Sequence, residues 1–120
     1  MKPIPMAHRK IINSDQYFKK SCLTGKKATL GDRIVIHHAW LYGSSQISEM
    51  WNYCPLLDSE HSPYSKQSSV HNSKDMENKV KLIAIERAGL DYLKKNFPKK
   101  NWEQIHKYLS EKYGLQHNTA

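Results

Sequence analysis

Cysteine is scarce in this chain: Cys22 and Cys54 are the two examples in 120 residues. That excludes a disulfide framework and a four-cysteine zinc cage, and the pair is not spaced as a CxxC knuckle. If the two meet in space they supply at most half of a zinc site, and a reduced, intracellular setting is the simpler expectation. Long apolar runs are missing too. Hydrophobic residues make up 38 % of the chain, and no stretch approaches the roughly 20 consecutive apolar residues of a membrane-spanning helix. Residues 1–20 mix Pro, His, Lys and Arg with single apolar residues and never build the apolar centre of a signal peptide. No internal repeat is visible, and the length suits one domain with a modest core. Acidic residues are outnumbered, 11 against 19 Lys plus Arg, for a formal net charge of +8. A surplus of that sign points to a polyanionic partner, nucleic acid being the commonest, or serves only to keep a small protein in solution.

What is present is organised around residues 33–40, RIVIHHAW. A β-branched apolar run that ends in two histidines reads as a strand, and consecutive strand side chains point to opposite faces. His37 and His38 are therefore expected to look in different directions. Upstream, residues 1–13 carry two prolines and several basic groups without a period and read as an extended basic arm. Ser14 is a candidate N-cap for a short helical turn. Turns are expected at Gly25 and at Gly31 with Asp32, giving a β-hairpin whose second strand covers residues 33–39. The segment after Trp40 is rich in turn residues, and Pro55 is expected to interrupt regular pairing in the stretch that follows Asn52.

Residues 61–72 are rich in Ser, Asn, His and Lys and read as a long polar loop, which in a small domain is functional or mobile. Ser73 then caps the longest helix, with Met76, Val80, Ile83, Ala84 and Arg87 on one stripe. Gly89 ends or kinks it, and Leu90, Leu93 and Phe97 continue the apolar spacing as far as Pro98. A last helix follows Asn101, with Gln104 as the N3 partner of that cap and Trp102, Ile105, Leu109 and Tyr113 as its buried stripe. Gly114 is placed to terminate it. The chain is thus expected to hold an arm (residues 1–13), one α+β domain (residues 14–115) and a flexible tail (residues 116–120).

Asn52 lies fourteen residues after His38, and His61 nine after Asn52. This ordered set, with an apolar strand before it and a helix after it, resembles the HNH nucleases of the ββα-metal class over residues 22–81. The words IHHA and CPL, followed by a histidine, are more loosely similar to phage HNH proteins linked to recombination. The resemblance implies a β-hairpin and helix gripping one divalent cation (Mg, Mn, Ni or Zn), with additional helices at the C-terminal end. It implies that His37 is a metal ligand, His38 the general base, Asn52 the residue orienting the loop and base, and His61 a second ligand. The function implied is hydrolysis of DNA phosphodiester bonds in the cytoplasm of a bacterial or phage-infected cell.

The proposed roles are chemically coherent. A neutral imidazole, with a pKa near 6.5 in water, can take a proton from an attacking water. An asparagine carbonyl bonded to one ring nitrogen would fix which nitrogen stays free. Two departures stand out: the zinc knuckles of many HNH members are absent, and no histidine lies four residues after His61. The third ligand is then His71, or Asn72 or Asp58 behind it, or water. Lys26, Lys27, Arg33, Lys66 and Lys74, with Lys79 and Lys81, are expected to flank the site and hold phosphates. Lys94, Lys95, Lys99 and Lys100 read as a solvated face or a secondary backbone contact.

Trp40, Trp51 and Trp102 read as core residues rather than base-stacking platforms, Cys54 as a small buried residue, and His8, His106 and His117 as surface groups. Two rival functions remain at this level. One is a non-catalytic nucleic-acid-binding module of the same shape. The other is a phage protein that acts by occupying a host protein, in recombination or in phage and host interaction, through exposed aromatics and the basic helices.

Overall fold

The β-branched run Ile34, Val35 and Ile36 forms the strand expected of it, β1 (Ile34–His38), in a computed structural model that describes residues 3–114. Its partner is not the preceding segment. β1 pairs antiparallel with β4 (Tyr53–Leu57), in the register His37 to Cys54 and His38 to Tyr53. The expected upstream hairpin reduces to two isolated bridges, Lys20 with Lys27 and Thr29 with Asp32. The histidine strand is therefore the first strand of its hairpin, and the second comes after Asn52.

Pro55 sits inside β4 without breaking it, contrary to the expectation, and the register explains why. Ala39 N–H donates to Asn52 O and Asp58 N–H donates to Arg33 O. Bonded pairs therefore fall at Val35 with Leu56's side of the ladder and at His37 with Cys54, while Ile36 faces Pro55 in a non-bonded pair. The missing N–H of Pro55 points away from β1, so no ladder bond is lost. Its carbonyl points the same way and accepts from Cys22 N–H at 2.9 Å.

Between the paired strands, β2 (Leu41–Tyr42) and β3 (Ser45–Gln46) make a tight second hairpin. Gly43, at φ 64°, takes up the left-handed turn conformation that an L side chain resists. A single 3₁₀ turn, Met50–Asn52, leads into β4.

The helices depart from expectation at the start of the chain. Residues 6–14 are not extended but form α1 (Met6–Ser14), which buries none of its residues and is held at one point by His8 Nδ1 and the Tyr53 hydroxyl, 2.7 Å apart. His8 is thus a tertiary anchor, not a free surface group. Asp15, rather than Ser14, caps the following 3₁₀ turn, Gln16–Lys19, by accepting from Tyr17 N–H. After β4 comes α2 (Asp58–His61), a single turn.

α3 (Lys74–Ala88) starts at Ser73, whose Oγ accepts from Met76 N–H, and ends at Gly89 with φ 87°. It buries Val80, Leu82, Ala84 and Ile85. This face is broader than the stripe read from the sequence because α3 packs against β4, α4 (Leu90–Asn96) and α5 (Trp102–Leu109) together. Arg87, assigned to the stripe, is exposed and lies over the Tyr17 ring at 3.8 Å. Asn101 Oδ1 accepts from Gln104 N–H, as expected of the cap, and a π turn, Ser110–Gly114, closes the last helix.

The chain is an α+β fold with one main core. Trp40, Trp51 and Trp102 are all buried in it, with Trp40 and Trp102 edge to face at 5.2 Å. The Trp40 indole N–H donates to Lys81 O and that of Trp102 to Phe97 O. No helix among the described residues is long and apolar enough to cross a membrane. The expected tail and His117 lie outside the described residues.

Candidate metal centre

Three separate elements deliver three histidines to one point. His37 comes from the end of β1, His61 from the last residue of α2, and His71 from the turn before α3. One ring nitrogen from each lies within 4.8 Å of the others. The ring centroids of His37 stand 5.2 Å from His61 and 5.3 Å from His71, and the Nε2 atoms of His61 and His71 are 3.1 Å apart. His37 and His61 are half-buried and His71 is exposed, so the cluster opens to solvent on one side.

The position of His61 depends on a small clamp that the sequence did not announce. The Glu60 carboxylate is 2 % exposed and holds two elements at once. One oxygen accepts from Leu57 N–H at 2.9 Å and the other from the Thr24 hydroxyl at 2.7 Å. Asp32 reaches the same turn from outside, accepting from the N–H and hydroxyl of Ser59. Those two bonds hold the Asp32 carboxyl below the usual carboxylate range.

The stretch between His61 and His71 is tied down rather than loose. Buried Ser69 donates from its hydroxyl to Ser62 O at 2.7 Å, and its N–H donates to Asn72 Oδ1 at 2.8 Å. Val70 is buried, and its N–H donates to Glu60 O. Asn72, weighed as a ligand, spends its amide on the carbonyls of Gln67 and Ser65. That leaves His71 as the residue that joins the cluster. Asp58, also weighed, is not part of it.

A cavity of about 500 Å³ opens over the histidines. It is bordered by His37, His38, His61 and His71, and also by Trp40, Glu77, Lys81 and Lys100. The two adjacent histidines keep different company, as strand alternation requires. His37 packs on the other imidazoles, and the His38 ring stands edge to face with Tyr53 at 5.2 Å. Both still border the cavity because β1 ends there.

Burial holds these rings neutral. It pushes His37 down to about 3, aided by the neighbouring imidazoles, and lowers His38 and His61 from the ordinary histidine value. Three imidazoles with convergent nitrogens are a chemically suitable donor set for one divalent cation. Glu77 is the carboxylate that borders the cavity with them, and its charge acts on His37 as that of Asp58 acts on His61. Burial alone would raise the Glu77 pKa, but Lys81 at 2.9 Å and Lys74 at 3.7 Å hold it ionised and below the usual range.

Asn52 is fully buried, and its side chain is spent on backbone. Oδ1 accepts from Trp40 N–H at 2.7 Å, and Nδ2 donates to Trp40 O and Ile47 O, both at 3.0 Å. It fixes the loop that leaves His38, as expected. Its carbonyl is turned to Trp40 N–H, and it makes no direct bond to the His38 ring. His38 is instead held through the backbone and by Tyr53.

The cations at the cavity match those picked out by sequence only at Lys81. Among the described residues, Lys81 and Lys100 border the cavity, whereas Lys26, Lys27, Arg33, Lys66 and Lys74 do not. Lys100, read from the sequence as part of a solvated face or a secondary backbone contact, reaches the cavity because α4 and the turn at Pro98 bring it back from a position far along the chain. Cys22 and Cys54 are free thiols beside one another behind β4, with no further metal-ligating group gathered around them among the described residues. Compared with known proteins, the chain matches no family model, no curated protein and no solved structure.

Proposed function

We propose that this chain is a metal-dependent endonuclease that hydrolyses DNA phosphodiester bonds, with a ββα-metal arrangement of the HNH type, in a bacterial or phage-infected cytoplasm. The observation that carries the reading is the convergence of His37, His61 and His71 on a cavity that His38 also borders. These three imidazoles would hold one divalent cation. Bound there, such an ion neutralises charge on the pentavalent phosphorus and the departing alkoxide.

The chain's own groups supply the rest. His38, kept neutral by burial, takes the proton of a water whose oxygen bonds to phosphorus as the opposite P–O bond breaks. Lys81 and Lys100 face the cavity and counter the charge of neighbouring phosphates. Asn52 keeps the loop after His38 at one distance from the strand. Of the four cations considered, an all-imidazole set favours Ni2+ or Zn2+ over Mg2+ or Mn2+, which prefer oxygen ligands.

The test is nicking of supercoiled plasmid with each of the four metals, followed by chelator. His38→Ala is expected to lower the rate by at least about 100-fold, the usual contribution of a general base, with folding and DNA binding retained. Full metal-dependent cleavage by that variant overturns the assignment of the base. One observation favours the second reading, a non-catalytic DNA-binding module: the Asn52 carbonyl is turned to Trp40 instead of to His38. Binding of plasmid without nicking in every metal would establish it.

A further inference from the structure

The cavity above the histidines does not stand alone. Trp40 and Lys81 border it and also border a second hollow of about 400 Å³, between α3 and α5. Its floor is apolar, made by Trp40, Ile105 and Leu109, and its rim carries Asn78, Gln104 and Tyr108. Tyr108 is 56 % exposed, a large ring at the lip of the hollow with the Lys112 ammonium 5.9 Å from its centroid.

The rim amides each have one half committed. Asn78 Nδ2 donates to the Tyr113 hydroxyl and leaves its carbonyl as an acceptor, while Gln104 Oε1 accepts from Asn101 Nδ2 and leaves its NH₂ as a donor. An apolar slot with an aromatic wall and one donor and one acceptor at its lip suits a flat heterocycle with a polar edge. Lys81 and, on the histidine side, Lys100 bring two ammonium groups to the threshold, 4.9 and 5.7 Å from the Trp40 ring centroid, against the one carboxylate of Glu77, which pairs with Lys81 at 2.9 Å. A phosphate at that threshold would present one neighbouring unit to the histidines and the other to the slot.

We infer that this second hollow seats a single unstacked nucleobase next to the phosphate being cut, so that the substrate is unpaired DNA rather than uninterrupted duplex. The inference rests on the nuclease reading for the identity of the polymer. In a duplex the faces of each base are covered by its neighbours, and grooves expose edges alone. A pocket that accepts a face therefore selects a strand whose bases are free to splay, and stacking on aromatic side chains is the usual device.

The experiment measures binding of fluorescein-labelled thymidine oligonucleotides, single-stranded and as blunt duplex with deoxyadenosine, to the full chain in chelator. Single strand is expected to bind about tenfold or more tightly than duplex. Tyr108→Ala should weaken single-strand binding about tenfold, and Gln104→Trp, which fills the slot from an exposed position, should do the same. Duplex affinity should barely move in either. Circular dichroism confirms that both exposed substitutions leave the fold intact. Equal affinity for the two forms, or single-strand affinity untouched by both variants, overturns the inference, and so does failure of both forms to bind.

Plasmid nicking, scored separately, keeps the two readings apart. A Tyr108-dependent single-strand preference without cleavage in any metal retains the slot and removes the nuclease. Duplex cleavage indifferent to both variants does the reverse.

Discussion

At the scale of the single residue, Asn52 shows how far a side-chain type can be read without its partners. An asparagine between a histidine pair and a later histidine was legible as an orienting group, but the groups it orients belong to Trp40 and Ile47, and no pattern names them. Asn52→Ala strands three buried backbone groups at once. It is expected to cost about 3 kcal/mol or more of stability, read as a shift in urea midpoint at constant slope.

His37 makes a second prediction at this scale. Its folded pKa is depressed to about 3, against an unfolded value near 6.5. Between those values the unfolded chain holds the extra proton, so the stability is fully present above about pH 6.5 and is lost as pH falls through the window. For the metal-free chain the limiting slope from this group is about 1.4 kcal/mol per pH unit. Urea titrations between pH 7.5 and 4.5 should show this slope, and His37→Gln should flatten it.

At the scale of elements, alternation and β-branching identified β1, and capping patterns identified α3 and α5. What they could not identify was pairing. A strand's own residues say which face is apolar, not which segment lies alongside, and here the partner follows a second hairpin and carries a proline. Pro55 reads as a breaker until the register shows its nitrogen on the side away from the ladder. α1 was missed because nothing in it is buried: its apolar residues gather on one face but reach no core, and bonds from His8 to Tyr53 and from Lys19 to the Asn13 carbonyl tie it down.

Glu60 was missed for the converse reason. A buried carboxylate looks like any surface acid until Thr24, 36 positions earlier, is known to face it. Since α2 carries His61, Glu60→Ala should destabilise the fold by about 2–3 kcal/mol. It should also weaken metal binding several-fold, measured by calorimetry under conditions where the variant is still folded. A variant that loses stability with unchanged metal affinity would show that α2 is positioned by something else.

At the scale of the whole molecule, the histidine cluster joins parts of the chain that are far apart in sequence, so an ion bound there stabilises the folded state alone. At a free metal concentration 100 times its Kd the gain is about 2.7 kcal/mol, which for a chain of this size is a rise in Tm of roughly ten degrees. Melting curves with Ni2+ or Zn2+ should show that rise and those with Mg2+ much less. Single Ala substitutions at His37, His61 or His71 should each remove most of it. An equal effect of all four metals on wild type and variants would mean that the ions bind elsewhere. The sequence carried the charge of +8, the histidine set and Lys81 as a flanking cation, but not Lys100 as the cation that joins it at the cavity. Assembling them takes the tertiary fold.

Residues 58–73 carry two of the three imidazoles and are closed on themselves by Glu60, Ser69 and Asn72. In evolutionary terms its two histidines are not equally replaceable, since Glu60, Ser59 and buried Val70 tie the His61 end and the floor of the stretch to the rest of the fold. His71 is exposed and contributes nothing to the core, so one substitution there would cost the ion and leave the hairpin, the helices and the basic threshold standing. If the proposed nuclease reading holds, descent from such a fold has a short route from cutting DNA to merely holding it, and a single reversion leads back.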